Sequence, residues 1–170
     1  MQFVLRDIPT RKALLELSGK IKEVDVSSVE TMLTFLRTAS EVQHAIYDKL
    51  EEHGLSRGKF TVLLIIYQDG ENGIYPSEIA EKAEVSRATV TGLLDRLERD
   101  GIVERRTDEY DGRMSNVRLT KKGIAMLEAI LPAHFLRVSK LMSHLSEQER
   151  NQLVDLLEKV RAGAVSAQEG

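Results

Sequence analysis

Cysteine and tryptophan are both absent from this 170-residue chain. The first absence removes disulfides, thiolate metal sites and thiol-based redox sensing together. Long apolar runs are missing too, since none approaches the roughly 20 residues that a bilayer-spanning helix needs. The opening MQFVLRDIPTRK lacks the basic-then-apolar order of a secretory signal, so a cytoplasmic location is expected. Nor is there an excess of positive charge: 24 Lys and Arg stand against 27 Asp and Glu, a net charge of -3. That balance does not exclude a nucleic-acid partner, because phosphate contact needs a local basic patch and not a basic total. Internal repeats and low-complexity tracts are lacking as well. The four histidines, His44, His53, His134 and His144, are scattered, and none sits beside a nucleophile or carboxylate in a pattern suited to catalysis. No enzymatic activity and no cofactor are expected.

What is present reads as a globular, mainly α-helical protein. Apolar residues make up 42% and charged residues 30%, which is outside the composition of disordered chains, and the length favours one domain with a sizeable core. Most of the chain carries a 3.6-residue apolar period with a start signal ahead of nearly every helical stretch. Ser27-Ser28-Val29-Glu30 has the form of a capping box. Behind it Val29, Leu33, Leu36, Ile46 and Leu50 line one face of a long helix ending near His53-Gly54. Leu55-Ser56 opens a second helix, closed by the turn-forming run Asp69-Gly70-Glu71-Asn72-Gly73. Thr120 begins another long helix, which Pro132 would kink unless its surroundings tolerate the lost hydrogen bond, and Ser146-Glu147-Gln148-Glu149 is a second capping box ahead of Leu153, Leu156, Leu157 and Val160. A short helix is expected from Arg11 to Ile21, and disorder from Ser166 to Gly170.

The densest signal runs from Pro76 to Gly123. Pro76 suits a first helical turn, where its missing N–H costs nothing. A short helix Ser77–Ala83 ends at Glu84-Val85, and Ser86 caps a second helix that closes at Asp100-Gly101. Strands at Ile102–Thr107 and Arg113–Leu119 then flank Asp108-Glu109-Tyr110-Asp111-Gly112 as a hairpin turn. This order is a helix-turn-helix followed by a small β-hairpin wing, a device for reading duplex DNA. The second helix of such a unit enters the major groove by its N-terminal residues, here Ser86, Arg87, Ala88, Thr89 and Thr91. Arg87 can offer a bidentate fork to guanine, worth about 1–3 kcal/mol of discrimination. Ser86 and Thr89 carry short hydroxyls for phosphate oxygens or base edges, and Ser86 serves as N-cap as well. Ser77 and Lys121 join the candidate DNA contacts. Arg113, just past the hairpin tip, is placed for the negative potential of an adjacent minor groove. Asp111 would be repelled by phosphate, so its expected role is to hold Arg113. Arg105, Arg106, Arg118 and Lys122 are either phosphate contacts or solvated charges. Arg96 and Arg99 are expected to pair on the surface with Asp95, Glu98 or Asp100.

At these residues the chain resembles the MarR family of bacterial winged-helix regulators. The resemblance covers about Ser27 to Val160 and rests on motifs in the family's order. They are Leu55-Ser56-x-x-x-Phe60, Pro76-x-Glu78-Ile79-Ala80, Ser86-Arg87-x-Thr89-Val90-Thr91-x-x-Leu94-Asp95-Arg96-Leu97, Gly101-Ile102-Val103-Glu104-Arg105-Arg106, Asp111-Gly112-Arg113 and Val117-Arg118-Leu119-Thr120-Lys121-Lys122-Gly123. The stretch from Leu131-Pro132 through Leu145-Ser146 to Leu153 is similar to the branch that represses multidrug-efflux genes. The family implies a lead-in over 1–25, a body over 26–165 and a tail over 166–170. Within the body, helices at 26–53 and 120–162 would build a two-fold dimer around a winged helix-turn-helix at 55–119. Apolar stripes longer than one small domain needs favour such an interface independently, with Leu33, Leu36, Leu153 and Leu157 as its expected seam. A homodimer of this kind reads an inverted-repeat operator.

Many family members are displaced from DNA by small aromatic acids or phenols, so a ligand-responsive repressor is expected. The resemblance carries ligand contacts onto Arg37, Pro76, Thr91 and Arg105, and turns Phe60 toward the crevice between dimer and DNA lobe; core packing is the other reading of Phe60, and Pro76 is a helix start in either case. The cysteine of the family's thiol sensors has no counterpart here. Two other readings stay open. One is a metal-responsive regulator using His44, His134 and acidic neighbours at the dimer interface. The other is a winged domain that serves only to dock protein.

Overall fold

The structure, a computed structural model, describes residues 11–18, 21, 25–69, 73–107 and 115–166. The chain divides into two compact units, residues 1–120 and 121–170. The first holds helices α1 (Arg11–Ser18), α2 (Val26–Tyr47), α3 (Arg57–Gln68), α4 (Pro76–Lys82) and α5 (Arg87–Arg99), then strands β1 (Val103–Thr107) and β2 (Ser115–Leu119). A 3-10 helix over Asp48–His53 joins α2 to α3. The second unit holds α6 (Lys121–Leu141) and α7 (Glu147–Ser166).

Local chemistry sets most of these boundaries. α2 begins two residues earlier than the Ser27–Glu30 pattern suggests, because the Asp25 carboxylate accepts the Ser27 and Ser28 backbone N–H groups. An ionised carboxylate is a stronger acceptor for orphan amides than a serine hydroxyl, so Ser27 lies inside the helix and Asp25 caps it. The Ser28 hydroxyl and the Ser27 N–H hold the Asp25 carboxyl below its usual range. At α7 the expected box does form: Glu149 accepts from the Ser146 N–H at 2.7 Å, and Ser146 Oγ accepts from the Glu149 N–H at 3.3 Å. The Ser146 N–H foremost, and then the Ser146 hydroxyl, which donates to Glu149 Oε2 at 2.8 Å, hold the Glu149 carboxyl below its usual range as well. Both caps therefore act fully at neutral pH and are lost as pH falls through the lowered folded values. Ser56 and Ser86 cap α3 and α5 as the sequence pattern requires. The short helix α1 ends at Ser18 and packs on α2, burying Leu14.

The core of the first unit lies among α3, α4, α5 and the hairpin. Phe60, Leu63, Ile66, Ile79, Val90, Leu94, Leu97, Val103 and Val117 are all buried, each worth about 1.5–3 kcal/mol relative to exposure. The strands pair antiparallel, with Val103 opposite Leu119, Arg105 opposite Val117 and Thr107 opposite Ser115. Ile74, from the loop before α4, adds an isolated antiparallel rung to β2: its N–H donates to the Val117 carbonyl at 3.0 Å, and the Val117 N–H returns the bond at 2.8 Å. The turn between α4 and α5 passes through Glu84 at φ 53°, the one non-glycine with positive φ among the described residues. In the second unit α6 continues through Pro132 without a break, and Leu127 and Ile130 are buried. Not one residue of α7 is buried.

Gly73 gives a direct test of the rung. Its φ is +75°, and an added Cβ would stand 2.8 Å from Arg118 Cγ. Gly73→Ala must therefore strain the backbone and displace the Arg118 stem together. A loss of about 1–3 kcal/mol in urea unfolding is expected; parent-like stability would show that the approach is loose.

Candidate nucleic-acid interface

The rotation of α5 is set by Val90, Leu94 and Leu97, all fully buried. Helical geometry then turns Ala88, Gly92, Arg96 and Arg99 to the opposite, exposed side. At the N-terminus, Ser86 Oγ accepts the Thr89 N–H at 3.1 Å and lies 2.8 Å from Thr89 Oγ1. The two hydroxyls share one proton between them, which leaves one O–H to donate to a base or phosphate oxygen. Thr91 Oγ1 donates to the Arg87 carbonyl at 3.0 Å, so its hydroxyl can only accept from a further partner. Arg87 is exposed and bears no ion pair among the described residues. It shares with Ser77 an open cleft of about 420 Å³ between α4 and α5, lined also by Glu78, Ala80, Glu81 and Val85. Ser77, Ser86, Arg87 and Thr89 are thus gathered at one end of the helix pair. Lys121 is exposed at the start of α6, in the second unit. Arg113 and Asp111 lie outside the described residues.

The ion pairs of this unit differ from those the sequence spacing suggests. Asp95 and Glu98 do not pair with Arg96 and Arg99. Both reach Arg105 of β1, whose Nη2 donates to Asp95 Oδ1 at 2.6 Å and whose Nη1 donates to Glu98 Oε2 at 2.7 Å. Asp100 accepts from Lys59 of α3 at 3.0 Å. On the other face of β1, Arg106 is held by Glu104 at 2.6–2.7 Å. Strand alternation explains the split: Val103 and Arg105 share the face toward α5, while Glu104 and Arg106 share the opposite one.

The five side chains expected as effector contacts lie on five different elements. Arg37 pairs with Glu41 on the exposed surface of α2. Phe60 is 1% exposed and belongs to the core, not to a crevice wall, because α3 turns its apolar face onto α5 and the hairpin. Pro76 occupies the first turn of α4, Thr91 is exposed on α5, and Arg105 is engaged by two carboxylates. None of them lines the cavity of about 240 Å³ formed by the end of α2, the 3-10 helix and the start of α3. That cavity is bordered by Ser40, Gln43, His44, Tyr47, Asp48, Glu51, Leu55, Ser56 and Arg57. The Arg57 guanidinium lies 5.1 Å from the centre of the Tyr47 ring and donates to Gln43 Oε1 at 2.7 Å. The sequence offered one sign of it, since Ser40, His44, Tyr47 and Glu51 recur at helical spacing ahead of the Leu55-Ser56 start.

Among the described residues no three His, Asp or Glu side chains converge as metal ligands within one chain. Burial, and secondarily Arg137, push the His134 pKa down and favour its neutral form. No helix is long and apolar enough to cross a membrane among these residues.

Comparison with known proteins agrees with this geometry. Residues 55–115 match the MarR family profile. The chain is 34% identical over 153 residues to the HTH-type transcriptional repressor YetL of Bacillus subtilis, covering 90% of this chain and 92% of YetL. It is 28% identical over 145 residues to the HTH-type transcriptional regulator PecS of Dickeya dadantii, covering 85% and 87%. Among solved structures, the MepR–DNA complex of S. aureus superposes with a TM-score of 0.68 at 28% identity, over 83% of this chain and 99% of that one.

Base contacts specify and phosphate contacts position. Arg87→Ala should therefore narrow the gap between specific and random duplex by about 1–3 kcal/mol, with little change in random-duplex affinity. Competition titrations measure both, and an equal loss on the two duplexes would make Arg87 a phosphate contact instead.

Proposed function

Because the chain belongs to the MarR family of DNA-binding transcriptional regulators, we propose that it acts as a homodimeric repressor on an inverted-repeat operator and is released by a small aromatic acid or phenol. The observation that carries this reading is the α5 N-terminus, where Arg87 and the Ser86–Thr89 hydroxyl pair stand exposed beside Ser77 at the helix-turn-helix surface. Thr91 and Lys121 complete the duplex contacts in this reading. Arg113, steadied by Asp111, would follow the adjacent minor groove from the wing tip.

The dimer is supported by apolar surface that one chain leaves in water. Met32, Phe35 and Leu36 of α2 are exposed, as are Leu153, Val154, Leu156, Leu157 and Val160 of α7. A helix with an apolar face and no buried residue is a stripe in want of a partner. A second copy offers the same stripe, and two-fold pairing closes the assembly at two chains. Such a dimer would set its recognition helices about 34 Å apart, one turn of duplex. Fragments retained from a randomised duplex pool should then carry two inverted half-sites at that spacing. Leu157→Asp would place a charge in the seam and should yield monomer by sedimentation, with operator binding lost. A folded mutant dimer with parent affinity would move the interface elsewhere.

Effector release is supported by the cavity beside Arg57. Its guanidinium is oriented by Gln43 and Tyr47 and presents remaining N–H donors to a carboxylate or phenolate, whereas Arg105 already serves Asp95 and Glu98. An effector lowers operator affinity only by binding the released form better, and operator must weaken effector binding by the same factor. Arg57→Ala should abolish release by a panel of aromatic acids and phenols while leaving operator affinity within about twofold, since α3 lies outside the helix pair and wing that meet DNA. If no compound releases the parent, the effector reading fails and the DNA-binding one stands.

A further inference from the structure

We propose that Arg96 and Arg99 are additional phosphate contacts of the recognition helix, and that Arg105 keeps Arg99 available by holding the helix's own carboxylates. The inference builds on DNA reading by α5 but assigns residues beyond its N-terminus. From sequence spacing, Asp95 and Arg99 form a favourable i,i+4 pair with the acid on the N-terminal side, and that pair would cancel the charge of Arg99. It does not form. One guanidinium from β1 spans Asp95 at 2.6 Å and Glu98 at 2.7 Å, one turn apart on α5. A planar fork with several donors suits this double engagement better than the flexible chain of a neighbouring arginine. Arg105 is 29% exposed, less open to water than the carboxylates it holds, so the contact is screened less than a free surface pair. The third acid, Asp100, is taken by Lys59, which is 16% exposed.

The consequence is a sorting of charge. Every carboxylate of α5 and its C-cap is met by a cation from β1 or α3, while Arg87, Arg96 and Arg99 bear no ion pair among the described residues. Arg96 and Arg99 share the outward face with Ala88 and Gly92, where an added Cβ at Gly92 would meet nothing within 4 Å. A smooth strip with two arginines at its far end lets the helix approach closely while the long side chains reach backbone oxygens. Their place in the last turn also suits the helix dipole, but that role would leave DNA binding untouched, so the two explanations part in experiment.

The test measures binding to operator and to random duplex across a salt series. Each lost phosphate contact lowers the slope of log affinity against log salt by about 0.9, so Arg96→Ala with Arg99→Ala should lower it by nearly two on both duplexes. Affinity at moderate salt should fall at least tenfold on each. Arg105→Ala should release Asp95 onto Arg99 and give a smaller loss on both duplexes. Adding Asp95→Asn and Glu98→Gln to Arg105→Ala should restore affinity, because the acids that compete for Arg99 are gone. An unchanged slope in the double arginine variant overturns the contacts. A loss in Arg105→Ala that the amides do not rescue, with folding intact by circular dichroism, overturns the availability argument and makes Arg105 a strut. If Arg105→Ala does not fold, Asp95→Lys in the parent serves instead: higher affinity on both duplexes is expected, and unchanged affinity counts against the proposal. A parent that shows no salt-dependent duplex binding would instead overturn the DNA-reading assignment itself.

Discussion

Burial of Val90, Leu94 and Leu97 fixes α5 about its own axis, and the rest of the reading surface depends on that rotation. With those three side chains fully inside, Ser86 and Arg87 must emerge at one end of the helix and Arg96 and Arg99 at the other. Replacing any of the three by a polar residue would cost more than the site could recover, because the core is close-packed and unforgiving of unpaired polar atoms. The hairpin is bound to the same core by Val103 and Val117, and through the Ile74 rung it is tied to the loop that starts α4. Helix pair and wing base are therefore one packed body.

An acidic protein meets a polyanion here by arrangement, not by composition. The net charge is -3, yet the acids of the recognition helix itself and its C-cap are held by Arg105 and Lys59, and Lys82 holds Asp69 at the end of α3. Several of these pairs join different elements, so each both neutralises a carboxylate and ties one element to another. Pairs open to water on at least one side add little stability. Their larger effect is on the field a duplex would encounter, since a paired carboxylate repels phosphate far less than a bare one.

The family assignment fits a chain built as a reading head with apolar helices left uncovered. YetL, PecS and MepR align over most of this chain, so the likeness extends past the winged unit into the flanking helices. Those flanks hold α2 and α7, neither with a buried residue.

Sequence alone determined what is decided within a few residues of chain. Ser56, Ser86 and the Ser146–Glu149 box cap their helices because the acceptor and the orphan amide lie one turn apart, whatever surrounds them. The apolar period turned Val90, Leu93, Leu94 and Leu97 inward and the α5 N-terminus outward for the same reason, though Leu93 is only half-buried. Even locally, competition was hard to read: Asp25 displaced the Ser27 box because a carboxylate two residues away is the better acceptor. Tertiary structure alone decided the rest. Arg105 joins Asp95 and Glu98 across 10 and 7 positions, and Lys59 joins Asp100 across 41; spacing on one helix favoured other partners. Phe60 went to the core, and Arg57 settled on Tyr47, because the packing of α3 chose which of its faces would be covered. Local hydrogen bonds follow from chain geometry, whereas contacts between distant residues exist only once the core has set which faces meet.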